Sequence, residues 1–88
     1  MTGRFGVRYT AVAAKQIRKL DRQAQLRVLK AIEILSDTPR PPKGMQLVGG
    51  GGEWRIRTGD YRIIYEIRDQ ELLILVLRVG HRREVYRR

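Results

Sequence analysis

Residues 53–68 read EWRIRTGDYRIIYEIR, two runs of alternating side chains separated by Gly59-Asp60. A period of two belongs to a half-buried strand, and a two-residue link containing Gly belongs to a tight hairpin. With Gly59 and Asp60 as the turn, Thr58 faces Tyr61, Ile56 faces Ile63 and Trp54 faces Tyr65. These pairs make one largely apolar face that another layer can cover. The opposite face places Arg57 across from Arg62, with Arg55 one step along. Few short segments constrain a fold so tightly, because a slip of one residue would exchange the two faces.

The rest of the chain builds around this hairpin. A second turn at Asp69-Gln70 leads into Glu71–Val79, where Leu72 to Leu77 are apolar on both faces, as in a strand inside a sheet. Gly80 is expected to end it. A short basic tail, His81–Arg88, follows and carries Tyr86. Upstream, Arg4 to Thr10 alternates loosely, with Phe5, Val7 and Tyr9 on one side, and reads as a first strand. Thr10 is placed to cap a helix with Val12, Ala13, Ile17 and Leu20 on its apolar side. The other side carries Lys15, Arg18, Lys19 and Arg22. Asp21 can cap a second helix to about Leu35, striped by Ala24, Val28, Ala31, Ile32 and Leu35. Pro39, Pro41 and Pro42 stop it. Lys43–Gly52 reads as a loop, and its glycine run lacks the Lys-Ser/Thr ending of a phosphate-binding P-loop. The expected class is α+β, in the order β-α-α-β-β-β: a helical hairpin on one face of a mostly antiparallel sheet. Residues 1–88 are read as one domain, without repeats.

Composition narrows the function. At 88 residues the core supplies only about 5 kcal/mol of net stability. The chain has no cysteine to add a disulfide or a thiolate cluster, and a lone histidine, His81, argues against a histidine-based zinc site. No metal and no cofactor are therefore expected. No stretch approaches the roughly 20 apolar residues of a membrane span, and Met1–Thr10 lacks the apolar core of a signal peptide. The expectation is a soluble cytoplasmic protein with no membrane partner. The net charge of +10, from 19 Lys plus Arg against 9 Asp plus Glu, points to nucleic acid first, then to an acidic protein or an anionic surface.

Chemistry enters through the arginine face. Like charges directly opposite on neighbouring strands cost stability, and a bound anion offsets that cost for Arg57, Arg62 and Arg55. Splaying into water, or pairing with Glu53 and Glu66, does so as well. Because the last strand runs antiparallel to the one before it, the tail emerges near Arg62, so His81, Arg82, Arg83 and Tyr86 can close over the arginines. Several guanidiniums, an imidazole and a phenol suit RNA cleavage by the 2′-hydroxyl. That reaction needs a proton removed, a leaving oxygen protonated and phosphoryl charge stabilised. Arginine serves only the last, since it does not give up its proton. Histidine, and tyrosine among positive charges, can move protons near neutral pH.

The segment "EWRIRTGDYRIIYEIRDQELLILVLRVGHRREVY" resembles the C-terminal half of RelE/ParE-superfamily toxins, with "RIRTGDYRIIYEI" and "VGHRREVY" as its most specific parts. The resemblance implies the RelE-like microbial RNase fold. It also implies the toxin of a type II toxin–antitoxin module, a metal-independent endoribonuclease (mRNA interferase) that cuts mRNA in the ribosomal decoding site and inhibits translation, as in a stress response. By position it assigns Arg62 and Arg82 as phosphate clamps, Arg55 and Arg57 as the basic pair of the second strand, and Tyr86 as base. It further implies a cognate RelB-like antitoxin as partner, alongside mRNA and ribosomal RNA. Well-known members carry lysine where this chain has Arg55 and Arg57, so the general acid is open, and His81 is the candidate. Lys15, Arg18, Lys19 and Arg22, with Arg83, are candidate RNA contacts; a solvated basic face is the plain alternative. ParE-like members of the same superfamily instead inhibit DNA gyrase and have no nuclease site, which is the alternative function. A nucleic-acid-binding module without chemistry and an inactive toxin are further readings.

Overall fold

The structure is a computed structural model that describes residues 4–47 and 52–81. Its elements are β1 (Gly6–Tyr9), α1 (Ala11–Arg18), α2 (Arg22–Asp37), β2 (Met45–Gln46), β3 (Glu53–Thr58), β4 (Tyr61–Arg68) and β5 (Leu73–His81). The five strands form one sheet in the order β1-β5-β4-β3-β2. β1 runs parallel to β5 and every other pairing is antiparallel.

Both helices start where a side chain accepts the first orphan amides. Thr10 Oγ1 accepts from Ala13 N at 3.0 Å and donates to Leu77 O at 2.8 Å, so the same hydroxyl ties α1 to β5. Asp21 Oδ1 accepts from Ala24 N at 2.8 Å. Gln25 Nε2 donates to Ile17 O at 3.0 Å, which satisfies a carbonyl at the end of α1 from α2. The stripe of α2 is buried as its spacing predicts, but the helix runs to Asp37, two residues beyond Leu35. On α1, Ala13 and Ile17 are buried, whereas Val12 is 55% exposed and faces away from the core. One turn of helix cannot bring two adjacent residues to the same narrow stripe.

The helices cover one sheet face. Their buried residues meet Ile56, Ile63, Tyr65, Ile74, Val76 and Val79, with Trp54 and Tyr61 half-buried at the margin. Tyr65 is fully buried and its hydroxyl donates to Pro39 O at 2.8 Å, which anchors the proline segment after α2. Burial pushes this phenol up to about 12. Arg40 follows with its guanidinium 5.7 Å from the Trp54 ring centroid and an ion pair to Asp69 at 2.9 Å.

Three expectations are corrected around the hairpin. The segment read as a loop contains the edge strand β2, whose Met45 and Gln46 pair with Arg55 and Trp54. Two residues carry too little pattern to announce a strand. The turn before β5 is a single 3₁₀ turn over Asp69–Glu71, closed by Leu72 in the left-handed conformation (φ 50°), so β5 begins at Leu73 rather than Glu71. Nor does Gly80 end that strand: β5 continues through Gly80 to His81, paired with Arg62 and Tyr61.

The β3–β4 register is the expected one, from Thr58↔Tyr61 through Arg57↔Arg62 to Trp54↔Tyr65. Its turn depends on Gly59 (φ 61°), where an added Cβ would also lie 2.5 Å from Arg27 Nη1. A side chain in that conformation costs about 1–2 kcal/mol, while the tip of Arg27 can swing aside. Gly59→Ala is therefore expected to lower unfolding free energy by about 1–2 kcal/mol, and Arg27→Ala in the same chain to restore little of it. Urea titration of the single and double variants measures both.

Candidate functional site

The sheet face away from the helices is built in rows. Cross-strand partners share a face, so register alone assigns them. One row is Arg57, Arg62 and Gly80; the next is Met45, Arg55, Ile64 and Arg78; the one after that holds Glu53, Glu66, Leu75 and Arg8. The hairpin thus brings Arg55, Arg57 and Arg62 together as expected. Arg62 is only 6% exposed, with Nε enclosed, whereas Arg57 is exposed and Arg55 half-buried. Arg55 Nη2 approaches Met45 Sδ at 3.2 Å. Glu66 is held by Arg68 at 3.0 Å, two residues along the same strand.

A bulge in β5 decides what joins this face. The register shifts between Ile64 and Tyr65, whose partners are Arg78 and Val76, leaving Leu77 as the extra residue. Before the bulge Ile74 and Val76 point into the core; after it Val79 does. Strict alternation from Val76 would have driven Arg78 into the core and turned His81 toward the arginines. The extra residue reverses both outcomes. Arg78 is exposed on the arginine face. Inspection of the sequence misses it, because an inserted residue in a continuous apolar strand leaves no gap in the pattern.

His81 goes the other way. It is in register with Tyr61, and the two rings meet edge to face with centroids 5.9 Å apart. Tyr61 packs against the core cluster and borders α2 beside Ala24 and Arg27. The sheet itself therefore separates the imidazole from Arg57 and Arg62, and the expectation that His81 closes over them is corrected. Lys15, Arg18, Lys19 and Arg22 are all exposed, on the helix layer and hence on the opposite side of the molecule from the arginine face. Arg82, Arg83 and Tyr86 lie outside the described residues.

Two of the described tyrosines hold their protons more tightly than an ordinary phenol. Desolvation raises Tyr9 above its ordinary value and Tyr65 further, to about 12. Among the described residues no three His, Cys, Asp or Glu side chains group as metal ligands. No described helix is long and apolar enough to cross a membrane. The chemistry this face offers is fixed positive charge, which suits a bound anion.

Comparison with known proteins agrees on one family. Residues 7–86 match the family described as the ParE toxin of the type II toxin–antitoxin system parDE. Toxin RelG of Mycobacterium tuberculosis is 33% identical over 88 residues, covering 96% of this chain and 98% of RelG. Among solved structures, a RelBE toxin–antitoxin complex from the same organism superposes with a TM-score of 0.79 at 32% identity, covering 88% of this chain and 96% of that one. An archaeal RelE–RelB complex from Pyrococcus horikoshii gives 0.78 at 27% identity, with 90% and 96% covered. With the sheet, the helical pair and the sequence all in agreement, the chain belongs to the RelE/ParE superfamily of type II toxin–antitoxin toxins.

Proposed function

We propose that this toxin is a metal-independent endoribonuclease that cuts mRNA in the ribosomal decoding site and so inhibits translation. The observation that carries the reading is the cross-strand pair Arg57↔Arg62, with Arg55 in the adjoining row, on a face clear of the helices. Two guanidiniums directly opposite one another repel, and a phosphodiester that accepts from both converts that repulsion into binding.

In this scheme the 2′-hydroxyl oxygen attacks the adjacent phosphorus and the bond to the 5′ oxygen breaks. Arg57 and Arg62, joined by Arg82, hold the phosphoryl oxygens as charge builds on them. Tyr86 takes the 2′ proton, the role that the family resemblance assigns to it. His81 has no role, since its ring lies against Tyr61 on the other face. The leaving oxygen takes its proton from water. Arg55 binds backbone. Lys15, Arg18, Lys19 and Arg22 form a separate basic surface on the helices, suited to ribosomal RNA.

The partner that restrains the toxin is a RelB-like antitoxin. Support comes from the RelB-bound relatives, from the net charge of +10, and from apolar side chains left open on α2. There Leu26 and Ile34 are 57% and 52% exposed, the kind of surface a protein partner covers.

The second reading, gyrase inhibition without cleavage, is favoured by the family match to ParE. Controlled expression separates the two. The ribonuclease reading predicts broken transcripts within minutes and unchanged plasmid supercoiling. Intact transcripts with relaxed plasmid and a DNA-damage response would replace it with gyrase inhibition.

A further inference from the structure

Arg78 stands on the arginine face but is not part of the Arg57–Arg62 row. We propose that Arg78 and Arg55 form a second phosphate subsite, which holds the RNA backbone one nucleotide away from the bond that is cut. The inference rests on the ribonuclease reading, since it takes RNA as the ligand.

Three observations carry it. The first is position. Arg55 and Arg78 are the two lateral neighbours of Ile64, one on β3 and one on β5. Two strand spacings separate their backbones by about 10 Å. Arg55 Nη2 lies toward Met45 on the β2 side, 3.2 Å from its Sδ, so Arg55 swings back over Ile64 for one phosphate to accept from both side chains. The second is spacing. This row is two residues along β4 from the Arg62 row, or about 7 Å, comparable to the step between consecutive phosphates in an extended single strand. The third is the boundary. One row further on stand Glu53 and Glu66. This acidic pair interrupts the positive charge along β3 and β4. Arg68, the next cation on β4, is taken up by Glu66, and Arg8 joins the row only on β1, two strands from Glu66, so the β3–β4 path holds two phosphates.

The floor of the subsite also matters. Ile64 is only 4% exposed, and charge held over an apolar surface acts more strongly on an anion than charge surrounded by water. The bulge at Leu77 keeps Arg78 on this face rather than in the core.

Arg78 is therefore a binding residue that acts on ground state and transition state alike. Its loss raises KM and leaves kcat unchanged. The test measures cleavage of a defined mRNA on programmed ribosomes by the full chain, wild type against Arg78→Gln and Arg78→Lys. It also measures binding of a fully 2′-O-methylated RNA 12-mer across 50–200 mM salt. Arg78→Gln is expected to raise KM about fivefold at constant kcat and to flatten the slope of log K against log salt by about 0.7, one phosphate contact on a single strand. Arg78→Lys restores the slope. Equal KM and equal slope in Arg78→Gln and wild type overturn the subsite. So does a loss tracking a lowered unfolding midpoint that Arg78→Lys fails to correct, which marks Arg78 as structural only. So does a wild-type chain that does not bind the 12-mer at 50 mM salt. A wild type that cuts no ribosome-bound mRNA fails the parent reading instead.

Discussion

Arg62→Ala is expected to lower cleavage of ribosome-bound mRNA by about 10²–10³-fold in kcat, the usual loss when one preorganised donor to a developing oxyanion is removed. Arg62 is almost fully buried and stands directly opposite Arg57. Its guanidinium is thus held in place before substrate arrives, and little ordering is left to do in the transition state. Because truncating a buried side chain also disturbs packing, the comparison includes Arg57→Ala, which removes the exposed partner of the same row and leaves the core intact. Both variants are expected to lose activity while Arg57→Ala keeps its unfolding midpoint. His81→Gln, in the same assay, keeps wild-type cleavage, since its ring occupies the other side of the sheet. Rates are read by quenched time courses under saturating toxin, with circular dichroism confirming that each variant is folded. Full activity in Arg57→Ala and Arg62→Ala together would remove the arginine row from the chemistry.

The largest effect on stability is expected from Leu35→Ala. Leu35 is fully buried where α2 meets the sheet. Truncating such a leucine costs about 2–5 kcal/mol, through lost transfer energy and the cavity left behind. A domain of this size has only about 5 kcal/mol to lose, so Leu35→Ala populates the unfolded state at 25 °C or comes close to it. With an m-value of about 1 kcal/mol/M, the urea midpoint falls by at least about 2 M. Leu26→Ala, on the exposed side of the same helix, shifts it by less than about 0.5 M, since exposed substitutions seldom exceed a few tenths of a kcal/mol. An equal shift in both would contradict the packing described for α2.

Much of this molecule is legible in its sequence, for identifiable reasons. The hairpin register follows from alternation about Gly59-Asp60, because the pleat makes side-chain parity and register the same information. Thr10 and Asp21 announce the helix starts because few other residues can satisfy the first amides. The α2 stripe is clear because its five residues span three turns. What stays hidden depends on long-range pairing. β2 exists only because Met45 and Gln46 meet β3. The strand continues past Gly80 because Arg62 and Tyr61 pair with its end.

The bulge at Leu77 is the most consequential hidden feature. In a strand apolar on both sides, one extra residue changes no visible pattern, yet it inverts the facing of all that follows. Ending the strand at Gly80 frees His81 to close over the arginines, whereas the strand continues to His81 and pairs it with Tyr61; the hidden bulge is why Arg78 leaves no sign in the pattern. Arg55, Arg57 and Arg62 were legible because they belong to the hairpin, upstream of the inversion.

The central claim, that this toxin cuts mRNA on the ribosome through its arginine face and Tyr86, is tested most directly in a translation extract programmed with a defined mRNA. Purified wild type and Tyr86→Phe are added in parallel, with and without translating ribosomes, and cut sites are mapped by primer extension. The account predicts cuts within the decoding-site codon, only with translating ribosomes, and their loss in Tyr86→Phe. Intact mRNA with folded wild-type toxin, or unchanged cutting by Tyr86→Phe, would contradict it.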